Sequence, residues 1–211
     1  MNLAQSLSEG LAALGLELSA ESQASLLAFV ALLKKWNRTY NLTAIRDEAE
    51  MLGQHVLDSL SILPVLQKSA LAGRRWADVG SGAGLPGIPL AIACRDLDMT
   101  LVEAVEKKSA FQRQAKIELG LPNLTVVNRR VEDIDGGRFD AVVSRAFAEL
   151  GEFARLAGHL LAPGGRLYAM KGRLSEDELK TLPPGWVRTR TARLNVPGLD
   201  AERHLIELEK V

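Results

Sequence analysis

The sequence predicts an α/β fold: N-terminal helices, then a mostly parallel seven-stranded sheet whose last strand runs antiparallel. Three observations predict it. Residues 1–70 carry apolar side chains at helical spacing. After Leu71 short apolar runs alternate with longer amphipathic ones, which is the pattern of βαβ units around a parallel sheet. The tail then gives two strand-like runs, "GWVRTRTARLN" and "RHLIELEKV", with no long helix between them, as an antiparallel pair requires.

The elements follow in order. "SAESQASLLAFVALLKKWN" opens on Ser19, an N-cap residue type, and repeats Leu26, Leu27, Val30 and Leu33 on one helical face. "DEAEMLGQHVLDSLSILPVL" repeats Met51, Leu52, His55, Val56, Ser59, Leu60 and Leu63, and Pro64 closes it. Residues 1–70 are therefore expected to form a helical cap, and 71–211 the sheet domain, together one unit. "RWADVG" reads as the first strand and "GIPLAIACR" as its helix; "MTLVEA" and "EKKSAFQRQAKIELG" repeat the pair, with Gly120 as the stop. "LTVVNR", "FDAVVSRA", a helix over 149–161 and "GRLYAMKG" complete the parallel part.

Composition narrows the classes. Formal net charge is zero, from 26 basic and 26 acidic side chains, which argues against coating nucleic acid by charge alone. No apolar run reaches a membrane span, and the N-terminus lacks the basic start of a secretory leader. The single cysteine, Cys94, forms no internal disulfide and reads as core filling, so a cytoplasmic setting is expected.

The most informative stretch is the bend after the first strand. Asp78 begins the pattern D-x-G-x-G-x-G, through Gly80, Gly82 and Gly84, and Pro86 and Pro89 follow where a helix begins. Glycine at that density implies backbone approaching something other than protein, at the strand end where open α/β sheets bind ligands. Glu103 ends the next strand, placed to hold the two hydroxyls of a ribose. These parts describe a nucleoside site. Residues 82–87 also satisfy G-x-G-x-x-G, but the Asp78 carboxylate would repel a dinucleotide's pyrophosphate and welcome a cation instead. The amino group of S-adenosylmethionine is such a cation.

Several motifs then carry a resemblance: "WNRTYNLTAIRD" (36–47), "HVLDS" (55–59), "DVGSGAGLPGIPLAI" (78–92), "VVSRAFA" (142–148), "MKG" (170–172) and "ERHL" (202–205). In this order, from about residue 20 to the C-terminus, the chain resembles the RsmG (GidB) family of bacterial 16S rRNA guanine-N7 methyltransferases. The resemblance implies a Rossmann-like S-adenosylmethionine-dependent methyltransferase fold and methylation of guanine 527 in the 30S subunit or an assembly intermediate. It places donor contacts on Gly80, Leu85, Val131, Glu132 and Arg145, beside Asp78, Gly82 and Glu103 from the residues themselves. No metal and no membrane are implied, and nothing demands a partner chain, so a monomer is expected.

Guanine N7 bears a lone pair and no proton, so positioning is the main requirement and no general base is expected. An arginine pressed on N7 would oppose the cationic product. Arg145 therefore reads as a ligand of the donor's carboxylate, guanine O6 or a phosphate, with an ion pair to Asp140 or Glu149 as the competing reading. His55 and Asp58 sit three apart on one helix face, in position to close over the site; a half-buried structural histidine is the alternative. Asn41 and Thr43 read as turn residues. Lys171, Arg203 and Arg130 are candidates for RNA phosphates, against solvated strand ends. Arg129, Arg188, Arg190, Arg193 and His204 are weaker candidates. A small-molecule or protein methyltransferase, a nucleoside-binding ribosome-assembly factor and a dehydrogenase are the other functions compatible with the pattern.

Overall fold

Helix α1 (Leu3–Ala13) starts where the Asn2 side chain accepts the Ala4 N–H at 3.1 Å. The computed structural model describes residues 2–66, 71, 74–145, 147, 149–172 and 176–211. Residue 70, at the expected junction, and Ala146 and Ala148 of the 142–148 motif lie outside these. Ser19 caps α2 (Ala20–Tyr40) as its residue type predicts, accepting the Ser22 N–H at 3.1 Å. The helix stops at Asn41 in the left-handed region, φ 50°. Buried Asn37 then fixes the loop beyond, accepting the Thr43 N–H at 2.9 Å and donating to the Ile45 carbonyl at 3.0 Å.

Asp47 caps α3 (Glu48–Met51), which runs without a break into a π-helical stretch (Leu52–Leu57) and α4 (Asp58–Leu60). This differs from the regular helix the periodicity predicts to Pro64. Every residue from His55 to Leu63 is buried, so no single polar face remains for an ordinary amphipathic helix. The wider turn occurs where His55 and Asp58 project, as π-helical segments do at many functional sites.

Seven strands make one sheet: β1 (Arg75–Val79), β2 (Asp98–Val102), β3 (Leu124–Val127), β4 (Phe139–Ser144), β5 (Leu161–Lys171), β6 (Trp186–Arg193) and β7 (His204–Lys210). Their order is β3-β2-β1-β4-β5-β7-β6. The first five are parallel, and β7 lies antiparallel between β5 and β6. The order reverses between β1 and β4, which opens a crevice at their carboxyl ends.

Helices α5 (Gly87–Ala93) and α6 (Glu106–Glu118) pack with α1 and α2 on one face, burying Phe29, Leu33, Ile88 and Phe111 together. On the same face Trp76 stacks on Tyr168, ring centroids 5.1 Å apart. Helix α7 (Leu150–Ala157) covers the other face with Leu150 and Phe153 and gives way to a 3-10 turn (Gly158–Leu160), inside the expected span. The N-terminal helices thus share one apolar core with the sheet rather than holding one of their own.

Candidate active site

The crevice is floored by the glycine bend. Gly80, Gly82 and Gly84 hold φ of 67°, 57° and 77°, the left-handed region that glycine alone enters without strain. The Gly80 N–H donates to the Val102 carbonyl at 2.9 Å. Buried Gln112, on α6, grips the bend from behind through the Ser81 hydroxyl and the Gly82 carbonyl, both at 2.8 Å. Over the bend lies a cleft of about 190 Å³, which Leu42, Thr43, His55, Leu85 and Arg145 enclose with Gly80 and Gly82.

Two acids first serve the protein itself. Glu103 lies just past β2, and its carboxylate first serves the protein, accepting the Gly82 N–H and the Val105 N–H, both at 2.8 Å. One lone pair per oxygen is left for a ribose. Asp78 is fully buried beneath the bend, so the expectation that it meets a ligand's cation directly is corrected. Its Oδ2 accepts the Gly87 N–H at 2.8 Å and anchors α5, while Oδ1 has no partner. Burial without a cation in contact pushes its carboxyl up to about 7.

The cap supplies the opposite wall. His55 is held at both nitrogens: Nε2 lies 2.8 Å from the Thr43 hydroxyl and Nδ1 lies 3.2 Å from the Gln54 carbonyl. A carbonyl only accepts, so Nδ1 carries the proton and Nε2 takes the hydroxyl's hydrogen. Burial, and then the charge of Arg145, lower the imidazole to about 4. His55 is neutral at neutral pH, and both nitrogens are occupied.

Arg145 pairs with neither Asp140 nor Glu149. Its Nη1 donates to Asp58 at 2.8 Å and to the Gln54 carbonyl at 3.2 Å, whereas Asp140 accepts the Arg75 N–H at 2.8 Å. The other Asp58 oxygen accepts from Arg203 Nε at 3.1 Å. Asp58 is 2% exposed, while Arg145 and Arg203 keep 24% and 28%, so a buried carboxylate holds two cations at a surface. That surface is a second cavity of about 350 Å³, which His55 and Arg145 share with the cleft. Lys171 lines it as well, but as a mostly buried ion pair with Glu178 rather than a solvated strand end.

Val131 and Glu132 fall in a 3-10 turn (Val131–Asp133) after β3. They share the carboxyl edge of the sheet, since Val79, Val102 and Val127 lie in register, but neither lines the two cavities. Arg130, beside them, is exposed. Thr43, Gln54 and Gln112 are site residues that the sequence reading passed over or took for a turn. Only the place of Thr43 inside the 36–47 motif and of Gln54 beside the 55–59 motif could have flagged them.

Residues 22–206 match the sequence model of the family described as GidB, rRNA small subunit methyltransferase G. The chain belongs to this family. The ribosomal RNA small subunit methyltransferase G of Aromatoleum aromaticum is 55% identical over 98% of this chain and 99% of its own length. That of Burkholderia thailandensis is 56% identical over 96% and 90%. Among solved structures, TrmN from Thermus thermophilus superposes with a TM-score of 0.57 at 22% identity, over 72% of this chain and 48% of its own. A SAM dependent methyltransferase from Aquifex aeolicus gives 0.57 at 14% identity, over 75% and 92%. The GidB-family chain thus has the α/β S-adenosylmethionine-dependent methyltransferase fold, and it is an rRNA small subunit methyltransferase. No helix among its described residues is long and apolar enough to cross a membrane.

Proposed function

We propose that this enzyme methylates N7 of guanine 527 in 16S rRNA, within the 30S subunit or an assembly intermediate, as a cytoplasmic monomer. The observation that carries the reading is the meeting of the two cavities at His55 and Arg145. The cleft over the glycine bend is read as the donor's place, and the neighbouring cavity as the base's.

The residues present fit S-adenosylmethionine, which when bound supplies an electrophilic methyl group on a sulfonium. A Cβ at Gly82 would meet only the Gly80 carbonyl, at 3.9 Å, so the backbone there is open to a ligand. Gly80, Gly82 and Leu85 hold the donor's body, and Glu103 turns its remaining lone pairs to the ribose. Val131 and Glu132 serve the adenine from the same sheet edge, and Arg145, which lines both cavities, offers part of its N–H donors to the carboxylate and leaves the rest for the base. Asp78 acts from beneath, through Gly87. Residues 1–70 act as a cap over the catalytic part, 71–211.

Neutral His55, with both nitrogens engaged, is poorly placed to remove a proton, and N7 has none to lose. The residues act by positioning. Asp58 draws on the charge of Arg145, which lessens its opposition to a base that becomes cationic. Lys171, Arg203, Arg130 and His55 face the RNA. In A-form duplex the N7 edge lies in a groove too narrow for side chains, so the guanine is unpaired or flipped.

The test uses labelled donor and 30S particles from a host lacking this gene, with strand cleavage at N7-methylguanine to map the product. One new N7-methylguanine, at 527, is expected. Donor binding with every 30S guanine unmodified would overturn the substrate and leave the fold.

A further inference from the structure

We infer that the 350 Å³ cavity beyond Arg145 is the seat of the target guanine nucleotide and that Asp58 is the residue positioning the two arginines that hold it. The inference rests on the function proposed above and adds to it the place and the grip of the substrate.

The geometry supplies three reasons. Arg145 and His55 are lining residues of both the donor cleft and this cavity. A base seated here therefore has its reacting edge one side-chain layer from the glycine bend.

Secondly, Asp58 is shaped to organise rather than to bind. It lines the cavity but at 2% exposure offers little surface there, and each oxygen already accepts from a different guanidinium, Arg145 Nη1 at 2.8 Å and Arg203 Nε at 3.1 Å. The three residues come from α4, the end of β4 and the approach to β7, so the ligand-facing cations are aimed by one carboxylate from the cap. Each guanidinium has five N–H donors, and Asp58 with the Gln54 and Glu202 carbonyls takes only part of them.

Thirdly, the cavity continues. Gly172 and Arg203 also line a wider depression of about 520 Å³, formed by the chain between β6 and β7 and including Arg193. Arg203 stands between the two spaces, where the backbone of an extruded nucleotide would pass. Guanine presents O6 beside N7 on one edge, and the flanking phosphate is an anion; a guanidinium donates well to both. Arg145, next to the donor, takes O6, and Arg203 takes the flanking phosphate.

Initial rates on gene-deleted 30S particles, with calorimetric affinity for S-adenosylmethionine measured separately, test the assignment. Arg203→Ala is expected to raise KM for 30S, lowering kcat/KM about ten- to a hundredfold, with donor affinity unchanged. Arg203→Lys, which keeps the charge, should recover part of the loss. Asp58→Asn should lower kcat/KM by more than Arg203→Ala, and adding Arg203→Ala to it should cost little further, because one carboxylate positions both cations. Asp58→Glu, folded and paired to the arginines, should retain more activity than Asp58→Asn. Wild-type kcat/KM in Arg203→Ala would overturn the seat. Fully additive losses in the double variant would overturn the positioning role of Asp58. A wild-type enzyme that makes no N7-methylguanine would instead overturn the proposed reaction, and the seat with it.

Discussion

At the scale of single residues, Asp78 and His55 are shifted in opposite senses by the same cause. Loss of solvent lifts the Asp78 carboxyl from 3.8 to about 7 and lowers the His55 imidazole from 6.5 to about 4. Between about pH 4 and 6.5 the unfolded chain holds a proton on His55 that the native chain lacks, so stability rises with pH. Between about 4 and 7 the native chain holds a proton on Asp78 that the unfolded chain has lost, so stability falls. The two slopes offset each other in the wild type. Asp78→Asn, which mimics the protonated carboxyl, should gain stability relative to wild type as pH rises through that window, by on the order of 4 kcal/mol. His55→Gln should lose on the order of 3 kcal/mol relative to wild type over its own window. Urea unfolding from pH 4.5 to 7.5 measures both, and a pH-independent difference would show that the residue titrates normally when folded. A second substitution addresses the bend: Gly80→Asp puts a carboxylate and a left-handed strain at φ 67°, and should abolish donor binding by calorimetry. Gly80, His55 and Arg145, which the structure brings around one cleft, each sit in a motif of local spacing that singled them out. The partner of Arg145 was not legible, since Asp58 lies 87 residues away and spacing reports only near neighbours.

At the scale of elements, the end of β2, the bend and the start of α6 are joined by one side chain. Glu103 accepts from Gly82 and Val105, so Glu103→Ala removes two hydrogen bonds to a carboxylate. Its donor-free thermal stability should fall by about 1–3 kcal/mol, and donor affinity should weaken with it. Donor-free stability equal to wild type would assign Glu103 to the ribose alone. Helix α5 gives a parallel case. A Cβ at Gly87 would sit 2.2 Å from Leu101 Cδ2 and 2.9 Å from Asp78 Oδ2, so Gly87→Ala must displace the anchor of the helix. A loss of about 1–3 kcal/mol is expected in denaturant unfolding, and an unchanged midpoint would mean that Leu101 yields freely. The sequence announced most element limits through local chemistry, such as the Ser19 cap and the stop at Gly120, φ 58°. It did not announce the π-helical stretch. Leu52, His55 and Val56 fit ordinary helical spacing, and the widening comes with burial from His55 to Leu63 that no local pattern encodes.

At the scale of the whole molecule, alternation of strands and helices was enough to read a mostly parallel sheet with an antiparallel end, because crossover connections leave few arrangements open. Which cap residues meet which strand ends was not legible, since that depends on how the N-terminal helices share the core of the sheet face. The same assembly bears on how the enzyme finds its substrate. With 26 basic and 26 acidic side chains, the protein has no excess charge with which to open RNA structure. Three cations at the site are held by acids: Asp58 holds Arg145 and Arg203, and Glu178 holds Lys171. Under the proposed reaction, such a surface suits a guanine already presented by a folded particle. Activity on 30S particles should therefore exceed that on protein-free 16S rRNA by at least about tenfold. The salt dependence should be shallow as well. If only two or three phosphates are neutralised, the logarithm of the apparent affinity should fall with the logarithm of salt at a slope of about −2 to −3. Measuring KM for 30S across a potassium chloride series at fixed magnesium reads that slope. A value near −6 or steeper would mean that the rRNA backbone is gripped over a broad basic face, and equal rates on naked rRNA would mean that the nucleotide itself, not the particle, is recognised.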